Sequence, residues 1–314
     1  MDKSMLKYIL KRVLISLITL FIILTVLFIM IKSLPGSPFN IEKMSDAQIA
    51  VANAKYGLDK PMLVQYGMYL KGMITGDYGV SYNLYKDVEV SALMGNAIQI
   101  SFMFGIVATI FGTLIGMLLG VVAGLKKNTI WDTLTTIISV LGVSVPSFVF
   151  ALLAVYFLGY KLQLFPLQYS TRDPISTSVL PILALSMSVI ANVARFTRTE
   201  MISVLNSEYM TLAKAKGLDG KTLIFKHALR NSLIPVITIL GPILVNLMTG
   251  TMVVEQICGV PGLGSLLIKG IAANDYNVVL ACAFLYAVMY VVIVFIIDLS
   301  YGFIDPRIRL GKGD

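Results

Sequence analysis

The chain has 314 residues, of which 57% are hydrophobic and only 13% are charged. A soluble domain keeps roughly a quarter of its residues charged, so this composition leaves too little polar surface to face water on every side. It predicts an integral membrane protein partly covered by lipid. The formal net charge of +8 could suit nucleic acid, but the basic residues follow a membrane-topology pattern, and we expect no nucleic-acid partner.

Several continuous apolar stretches are long enough to cross a bilayer, which takes about 20 helical residues. Because the stretches do not alternate with polar residues, they predict helices rather than barrel strands. The first is too long for a cleaved signal peptide and is expected to remain as a span. We therefore predict an all-α polytopic membrane protein with six transmembrane helices, at residues 10–31, 98–125, 133–160, 179–200, 233–256 and 278–303.

Positive charges indicate the orientation of these helices, since Lys and Arg collect on the cytoplasmic side. Most of the 25 Lys and Arg residues lie before the first span, after the second, after the fourth or in the tail. This distribution predicts that both termini are cytoplasmic. The predicted division of the chain is an N-terminal tail with the first helix, an extracytoplasmic segment, a membrane core and a cytoplasmic tail, at residues 1–31, 32–96, 97–303 and 304–314.

The extracytoplasmic segment predicts two short helices. Ser45 can cap a helix that ends at Gly57, and a second helix can begin at Pro61 and stop at Gly76. We expect a small ordered cap rather than a flexible linker. It either covers the outer mouth of the bundle or docks a partner that delivers substrate, and the residues leave both roles open.

The link between the fourth and fifth spans is long, polar and basic. Residues 201–216 contain few helix breakers, Gly217 suits a left-handed helix end, and a helix can resume over 222–233. Met210, Ala213 and Gly217 would share one face of the first helix. Small residues at the turn let another backbone approach closely, so we expect a mechanical contact with a separate protein.

Residues 215–222 have the spacing of a relaxed phosphate-binding loop. Such a loop works between a buried strand and a helix, whereas this one lies in a link between two spans, so we expect ATP to bind on another chain. The single histidine, His227, and the two cysteines, Cys258 and Cys282, predict neither a metal site nor a disulfide framework. We expect no catalytic residue.

Charged groups inside membrane spans are costly and often functional. Glu255 lies near the outer end of the fifth predicted span, and Asp298 lies near the inner end of the sixth. Asn192, Arg195 and Arg198 lie near the inner end of the fourth. Because all five are close to an interface, a structural role with the side chain reaching water is favoured. Glu255 and Asn192 are the candidates for lining a translocation path.

One stretch resembles the cytoplasmic coupling loop of ABC-importer permeases: EYMTLAKAKGLDGKTLIFKHALRNSLIP. Three more are similar to the branch that imports dipeptides and oligopeptides, with nickel and glutathione relatives: IKSLPGSPFN, YGLDKPMLVQYGMYLKGMITGDYGVSY and VVEQICGVPGLGSLLIKGIAANDY. The tail contributes DPRIRL. The likeness therefore runs in order through nearly the whole chain, which is more specific than any single motif.

The resemblance implies a type I ABC-importer transmembrane domain, with residues 97–303 as the permease core and 201–232 as the coupling loop. It implies a second homologous permease subunit, two ATP-binding cassette ATPases and an extracytoplasmic substrate-binding protein as partners, in a bacterial cytoplasmic membrane. ATP and magnesium would bind the ATPases, and this chain would bind no cofactor. The expected cargo is a peptide, with nickel, glutathione or another small solute as alternatives.

The loop departs from the general coupling motif, which has Glu-Ala-Ala, a Gly six residues after the Glu, and then Ile-x-Leu-Pro. Thr211 stands where the Glu would be, and residues 227–230 stand where Ile-x-Leu-Pro would be. Peptide-type permeases resemble this variant, and Glu208 does not take the role of the motif glutamate. The expected ATPase-coupling residues are Thr211, Ala213, Ala215, Gly217, Leu218, His227 and Arg230.

Two other classes are less well supported by the residues. An autonomous secondary transporter or channel would carry polar groups in the middle of its spans, and this chain has few. Secondary transporters are also often built from inverted repeats, and no strong internal repeat is evident. An intramembrane enzyme would need paired Asp residues, a Ser/Lys dyad or a His-rich motif within the spans.

Overall fold

The computed structural model describes the backbone of residues 3–33 and 45–304, and their side chains except at 3–7, 234, 248–250 and 300–304. This part of the chain is helical, and its one extended pairing is an isolated antiparallel bridge between Val80 and Glu89. The helices are α1 (Lys3–Ser33), α2 (Asp46–Tyr56), α3 (Met62–Thr75), α4 (Val90–Leu125), α5 (Ile130–Ser144), α6 (Ser147–Ala154), α7 (Pro174–Leu205), α8 (Glu208–Ala215), α9 (Gly220–Thr222), α10 (Arg230–Ile257), α11 (Leu263–Ala272) and α12 (Tyr276–Ile304). Two π-helical turns, Val155–Lys161 and Leu223–Leu229, follow α6 and α9.

The all-α membrane fold is confirmed. Four helices, α1, α4, α7 and α12, are long and apolar enough to cross a membrane on their own. Two bent helix pairs bring the number to six if each pair counts as one span. All six predicted stretches fall on these elements. The orientation of the termini stays a prediction, and most of the predicted tail at 304–314 lies outside the described residues.

The predicted third span is not the continuous helix that we expected over 133–160. Helix α5 ends at Ser144, α6 begins at Ser147, and the chain bends by 107° between them. Pro146 causes the break, because its ring disfavours helical dihedrals at the preceding residue, and Val145 is extended at φ −91° and ψ 125°. The sequence Ser-Val-Pro-Ser at 144–147 already indicated a helix break at this point.

The chain divides into two compact units, residues 1–101 with 261–314 and residues 102–260, which we call unit 1 and unit 2. In unit 1, α1 and α12 are neighbours that run in opposite directions, since Arg12 near the start of α1 pairs with Asp298 near the end of α12. The Asp298 side chain was expected to reach water, but only 15% of it is exposed. Its charge is satisfied by the ion pair instead.

The two helices predicted in the segment that we expect to be extracytoplasmic are confirmed. Ser45 caps α2 in a capping box with Gln48, and Gly57 ends the helix at φ +66°. Pro61 precedes α3, and Gly76 follows it at φ +77°. Both glycines adopt the left-handed conformation that other residues rarely do.

A buried carboxylate anchors the end of this segment within unit 1. Asp275, just before α12, is fully buried and accepts a hydrogen bond at 2.5 Å from the Ser81 hydroxyl. Its Oδ2 atom also accepts the backbone N–H groups of Asn83 and Leu84, at 3.0 and 3.1 Å. Because a buried carboxylate needs such donors, the segment after α3 is fixed to the start of the last membrane helix.

Helix α7 is the central helix of unit 2, and α4 packs against it through a stripe of glycines. At each glycine a Cβ atom would lie only 2.5–2.8 Å from a Cβ atom of α7, closer than real side chains approach. Glycines at every fourth residue let two membrane helices come into backbone contact. The facing pairs are Gly112 with Val189, Gly116 with Val193, Gly120 with Thr197, and Gly124 with Met201.

An ion pair ties the start of α5 to α7. The Arg198 guanidinium contacts both carboxylate oxygens of Asp132, with Nη2 to Oδ2 at 2.9 Å. The backbone N–H of Asn128 donates to the same Oδ2 atom at 2.9 Å. Arg198 was expected to reach water from the membrane interface, whereas it neutralises a carboxylate that is 5% exposed.

Substitution of a stripe glycine tests the α4–α7 contact. Gly116→Ala should lower the free energy of unfolding by about 1–3 kcal/mol, the usual cost of overpacking, because its Cβ would lie 2.8 Å from that of Val193. Gly105→Ala in the same helix is the matched control, since no neighbouring atom lies within 4 Å and alanine favours helix. Thermal unfolding in detergent measures both variants, and equal melting temperatures would contradict the contact.

Candidate functional site

A cavity of about 430 Å³ lies in unit 2 where the broken span bends. Residues 142, 143 and 145–147 form one wall, which includes the last turn of α5, Pro146 and the first residue of α6. Helix α7 forms a second wall and α10 a third. The cavity therefore lies at the bend itself, since residues on both sides of the break line it.

Each helix contributes one face to the cavity. The α7 residues are spaced by three and four, as one face of a helix requires, and they are Ser188, Asn192, Arg195 and Phe196. The α10 residues follow the same spacing, and they are Ile239, Pro242, Ile243, Asn246 and Leu247. The walls are therefore mostly apolar, with two amides and two serine hydroxyls among them.

The polar groups define what the cavity can do chemically. The Asn192 side-chain amide donates to the Ser188 carbonyl oxygen at 2.8 Å, which orients its oxygen. Arg195 is exposed and takes part in none of the ion pairs of the described chain. The lining residues include no carboxylate, histidine or cysteine. The walls offer hydrogen-bonding groups to a polar solute, but they hold no pair of groups suited to nucleophilic or acid–base chemistry.

The two residues expected to line a path have different positions. Asn192 lies on the cavity wall, whereas Glu255 lies near the end of α10 outside the cavity lining and is 1% exposed. Arg195 was expected at the membrane interface, and its place on the cavity wall was not predicted. The spacing of Ser188, Asn192 and Arg195 was a usable signal, because it puts all three on one helical face.

The segment at 201–232 forms the predicted helix–turn–helix, with one correction. The first helix is not continuous over 201–216, because α7 ends at Leu205 and α8 begins at Glu208. Ser207 lies between them, and its hydroxyl donates to the Val204 carbonyl oxygen at 2.6 Å, a local bond that competes with helix continuation. Gly217 has φ +78°, which confirms the left-handed helix end.

The second half of this segment begins with a capped turn. Asp219 is the N-cap of α9, and its side chain accepts the backbone N–H of Thr222 at 3.2 Å. Hydrogen bonds from the hydroxyl and the backbone N–H of Thr222 lower the pKa of Asp219 below its usual value. The carboxylate therefore stays ionised at neutral pH and holds the turn after Gly217.

An apolar cluster ties the segment to α7 within unit 2. Its buried members are Met201, Met210, Ala213, Leu223 and Ala228. Two hydrogen bonds support it: the Ser232 hydroxyl donates to the Met201 sulfur at 3.0 Å, and the Asn231 amide donates to the Tyr209 hydroxyl at 3.1 Å. The predicted face containing Met210 and Ala213 therefore exists, but it packs inside the chain rather than facing another protein.

The other residues expected to couple to an ATPase lie at the surface. Thr211, Ala215, Gly217, Leu218 and Arg230 are exposed, and His227 is half-buried. Large apolar side chains are also exposed on this segment, with exposed fractions of 43%, 56%, 38% and 69%, and they are Tyr209, Leu212, Leu218 and Phe225. Exposed apolar groups beside lysines are typical of a protein-interaction surface.

Comparison with known proteins gives the class. Residues 112–310 match the model of the family "binding-protein-dependent transport system inner membrane component", and residues 5–86 match the N-terminal model of the same system. The chain belongs to this family. It is thus a multi-pass protein of the cytoplasmic membrane that serves transport, in a system whose ATPase is a separate subunit.

Individual relatives match from end to end. A dipeptide transport system permease protein of Lactococcus lactis is 41% identical over 98% of this chain and 100% of its own length. An oligopeptide transport system permease protein of Haemophilus influenzae is 40% identical over 97% of this chain and 100% of its own length. The crystal structure of an amino acid ABC transporter with histidines matches this fold with a TM-score of 0.55 at 15% sequence identity. The match covers 67% of this chain and 93% of the transporter chain. That last likeness concerns the fold alone.

Two alanines separated by one residue test the placement of the segment at 201–232, which we call the coupling segment. Ala213→Asp should lower the free energy of unfolding by about 1–3 kcal/mol, because it puts a polar group into the apolar cluster. Ala215→Asp is the matched control, and as an exposed change it should stay within about 0.5 kcal/mol of the parent chain. Thermal unfolding and limited proteolysis near Gly217 compare the two variants. An equal loss in both would contradict the burial of Ala213.

Proposed function

We propose that this chain is one of two permease subunits of an ATP-driven importer of small peptides, with both termini in the cytoplasm. The observation that carries the cargo assignment is the full-length match to permeases named for dipeptide and oligopeptide transport. The bacterial relatives cover the extracytoplasmic segment, the membrane core and the coupling segment alike. The cavity at the broken span is the proposed part of the translocation path.

The proposed partners are a second, homologous permease, two ATP-binding cassette ATPases and an extracytoplasmic binding protein. The family description supports a binding protein and a separate motor. ATP and magnesium would bind the ATPases. The segment at 201–232 is the proposed ATPase contact. The exposed side chains of Leu212, Leu218 and Phe225 support this proposal, because a group of large apolar side chains exposed to water is typical of a protein-interaction site.

The cluster suggests how movement of the ATPases would reach the cavity. Met201 packs in the cluster of the coupling segment, and it lies on the same helix as Arg195 and Asn192. A helix rises about 1.5 Å per residue, so Met201 and Arg195 are roughly 9 Å apart along α7. A push on the coupling segment would therefore move the α7 wall of the cavity as part of one rigid helix.

The ATPase contact can be tested at Phe225. Phe225→Glu should weaken association with the ATPase subunits at least about fivefold, since burial of an aromatic anchor contributes more than 1 kcal/mol to many interfaces. Leu63→Glu in α3 is the matched control, because Leu63 is 83% exposed and belongs to the segment proposed to lie on the other side of the membrane. Co-purification measures the ATPase bound per permease. Unchanged association for Phe225→Glu would count against this contact.

The cargo can be tested with the assembled transporter in proteoliposomes, with its binding protein outside and ATP inside. Labelled trialanine should accumulate in the vesicles, and omission of ATP should abolish the accumulation. Labelled nickel and glutathione serve as competing cargoes in the same vesicles. ATP-dependent uptake of either one without uptake of trialanine would overturn the peptide assignment and leave the permease role intact.

A further inference from the structure

The cavity at the broken span has a definite charge. Arg195 is the one charged residue among its lining side chains. The bend also brings the end of α5 and the start of α6 to the same wall, but the partial charges of a helix end, about −0.5 and +0.5, oppose each other there. The guanidinium therefore decides the sign, and the cavity favours an anionic group.

The neighbouring arginine does not share this role. Arg198, three residues further along α7, is committed to Asp132 through both of its carboxylate oxygens. Arg195 takes part in no such pair among the described residues, although a guanidinium presents donors that fit a carboxylate in a bidentate arrangement. An arginine that only reached water at the membrane interface would not need to lie on the cavity wall, as Arg195 does.

We propose that Arg195 binds the C-terminal carboxylate of the peptide cargo during translocation. The inference rests on the proposed function and deepens it, because it names the end of the peptide that the cavity recognises. A free peptide carries an ammonium group at one end and a carboxylate at the other, and the positive cavity repels the first and attracts the second. The amide of Asn192, one helical turn away, is placed to hydrogen-bond the adjacent peptide group.

The size of the cavity fits this role. Its volume of about 430 Å³ lies in the range of about 300–1,000 Å³ typical of small-molecule sites. Apolar walls from Ile239 and Ile243 would contact peptide side chains without selecting among them. The cavity would thus recognise what all free peptides share, their backbone and terminal carboxylate, and tolerate different side chains.

The experiment compares two peptides in two transporters. Trialanine and its C-terminal amide are supplied to the reconstituted transporter containing either the parent chain or Arg195→Gln, and the concentration giving half-maximal ATP-dependent uptake is measured. For each transporter, the concentration for the amide divided by that for the acid gives the preference for the acid. The binding protein contributes equally to this ratio in both transporters, so its contribution cancels when the two ratios are compared. Arg195→Lys keeps the charge, and Arg172→Gln makes the same change at an exposed loop position outside the cavity.

The preference of the parent transporter for the acid over the amide should exceed that of Arg195→Gln by about tenfold. This factor corresponds to the lower end of the free energies that hydrogen bonds to charged groups contribute. Arg195→Lys should keep part of this difference, and Arg172→Gln should keep all of it. An unchanged ratio in Arg195→Gln would overturn the carboxylate assignment while leaving peptide import in place. Failure of the parent transporter to import either peptide would instead overturn the proposed function.

Discussion

The close contact between α4 and α7 is the constraint on which unit 2 depends. Lipid offers no hydrophobic driving force that brings apolar helices together, so membrane helices associate through close packing. Four glycines at every fourth residue of α4 let α7 approach until backbones touch. With that side of α7 occupied, α5 and α10 pack on its remaining faces. The cavity and the cluster of the coupling segment both follow from this placement of α7.

The same helix links two regions with different proposed functions. Its stretch from Ser188 to Phe196 forms a cavity wall, and Met201 packs with the coupling segment one to two turns later. The proline inside α7 is Pro181, which lies before this stretch and does not interrupt it. A continuous helix transmits displacement along its axis, whereas the break at Pro146 in the neighbouring span creates the recess that such a displacement would reshape.

Charges in the apolar helices show how membrane burial is tolerated in this chain. Arg12 pairs with Asp298 in unit 1, and Arg198 pairs with Asp132 in unit 2. Pairing offsets part of the penalty of holding each charge away from water, and a buried charge without its partner would cost far more. Arg195 differs because it is exposed on a cavity wall, so its charge stays available to a solute. This contrast between two arginines three residues apart separates the structural role of Arg198 from the binding role proposed for Arg195.

The sequence by itself determined the fold class, the six apolar stretches, the capped helices at Ser45 and Gly57, and the turn at Gly217. These features depend on local composition and on backbone preferences that act within a few residues. Tertiary structure alone decided that Ala213 is buried, that Arg198 has a partner and that Arg195 faces a cavity. Those outcomes depend on which helices meet, and the hydropathy of a membrane helix is nearly uniform around its axis, so it does not indicate which face meets which neighbour.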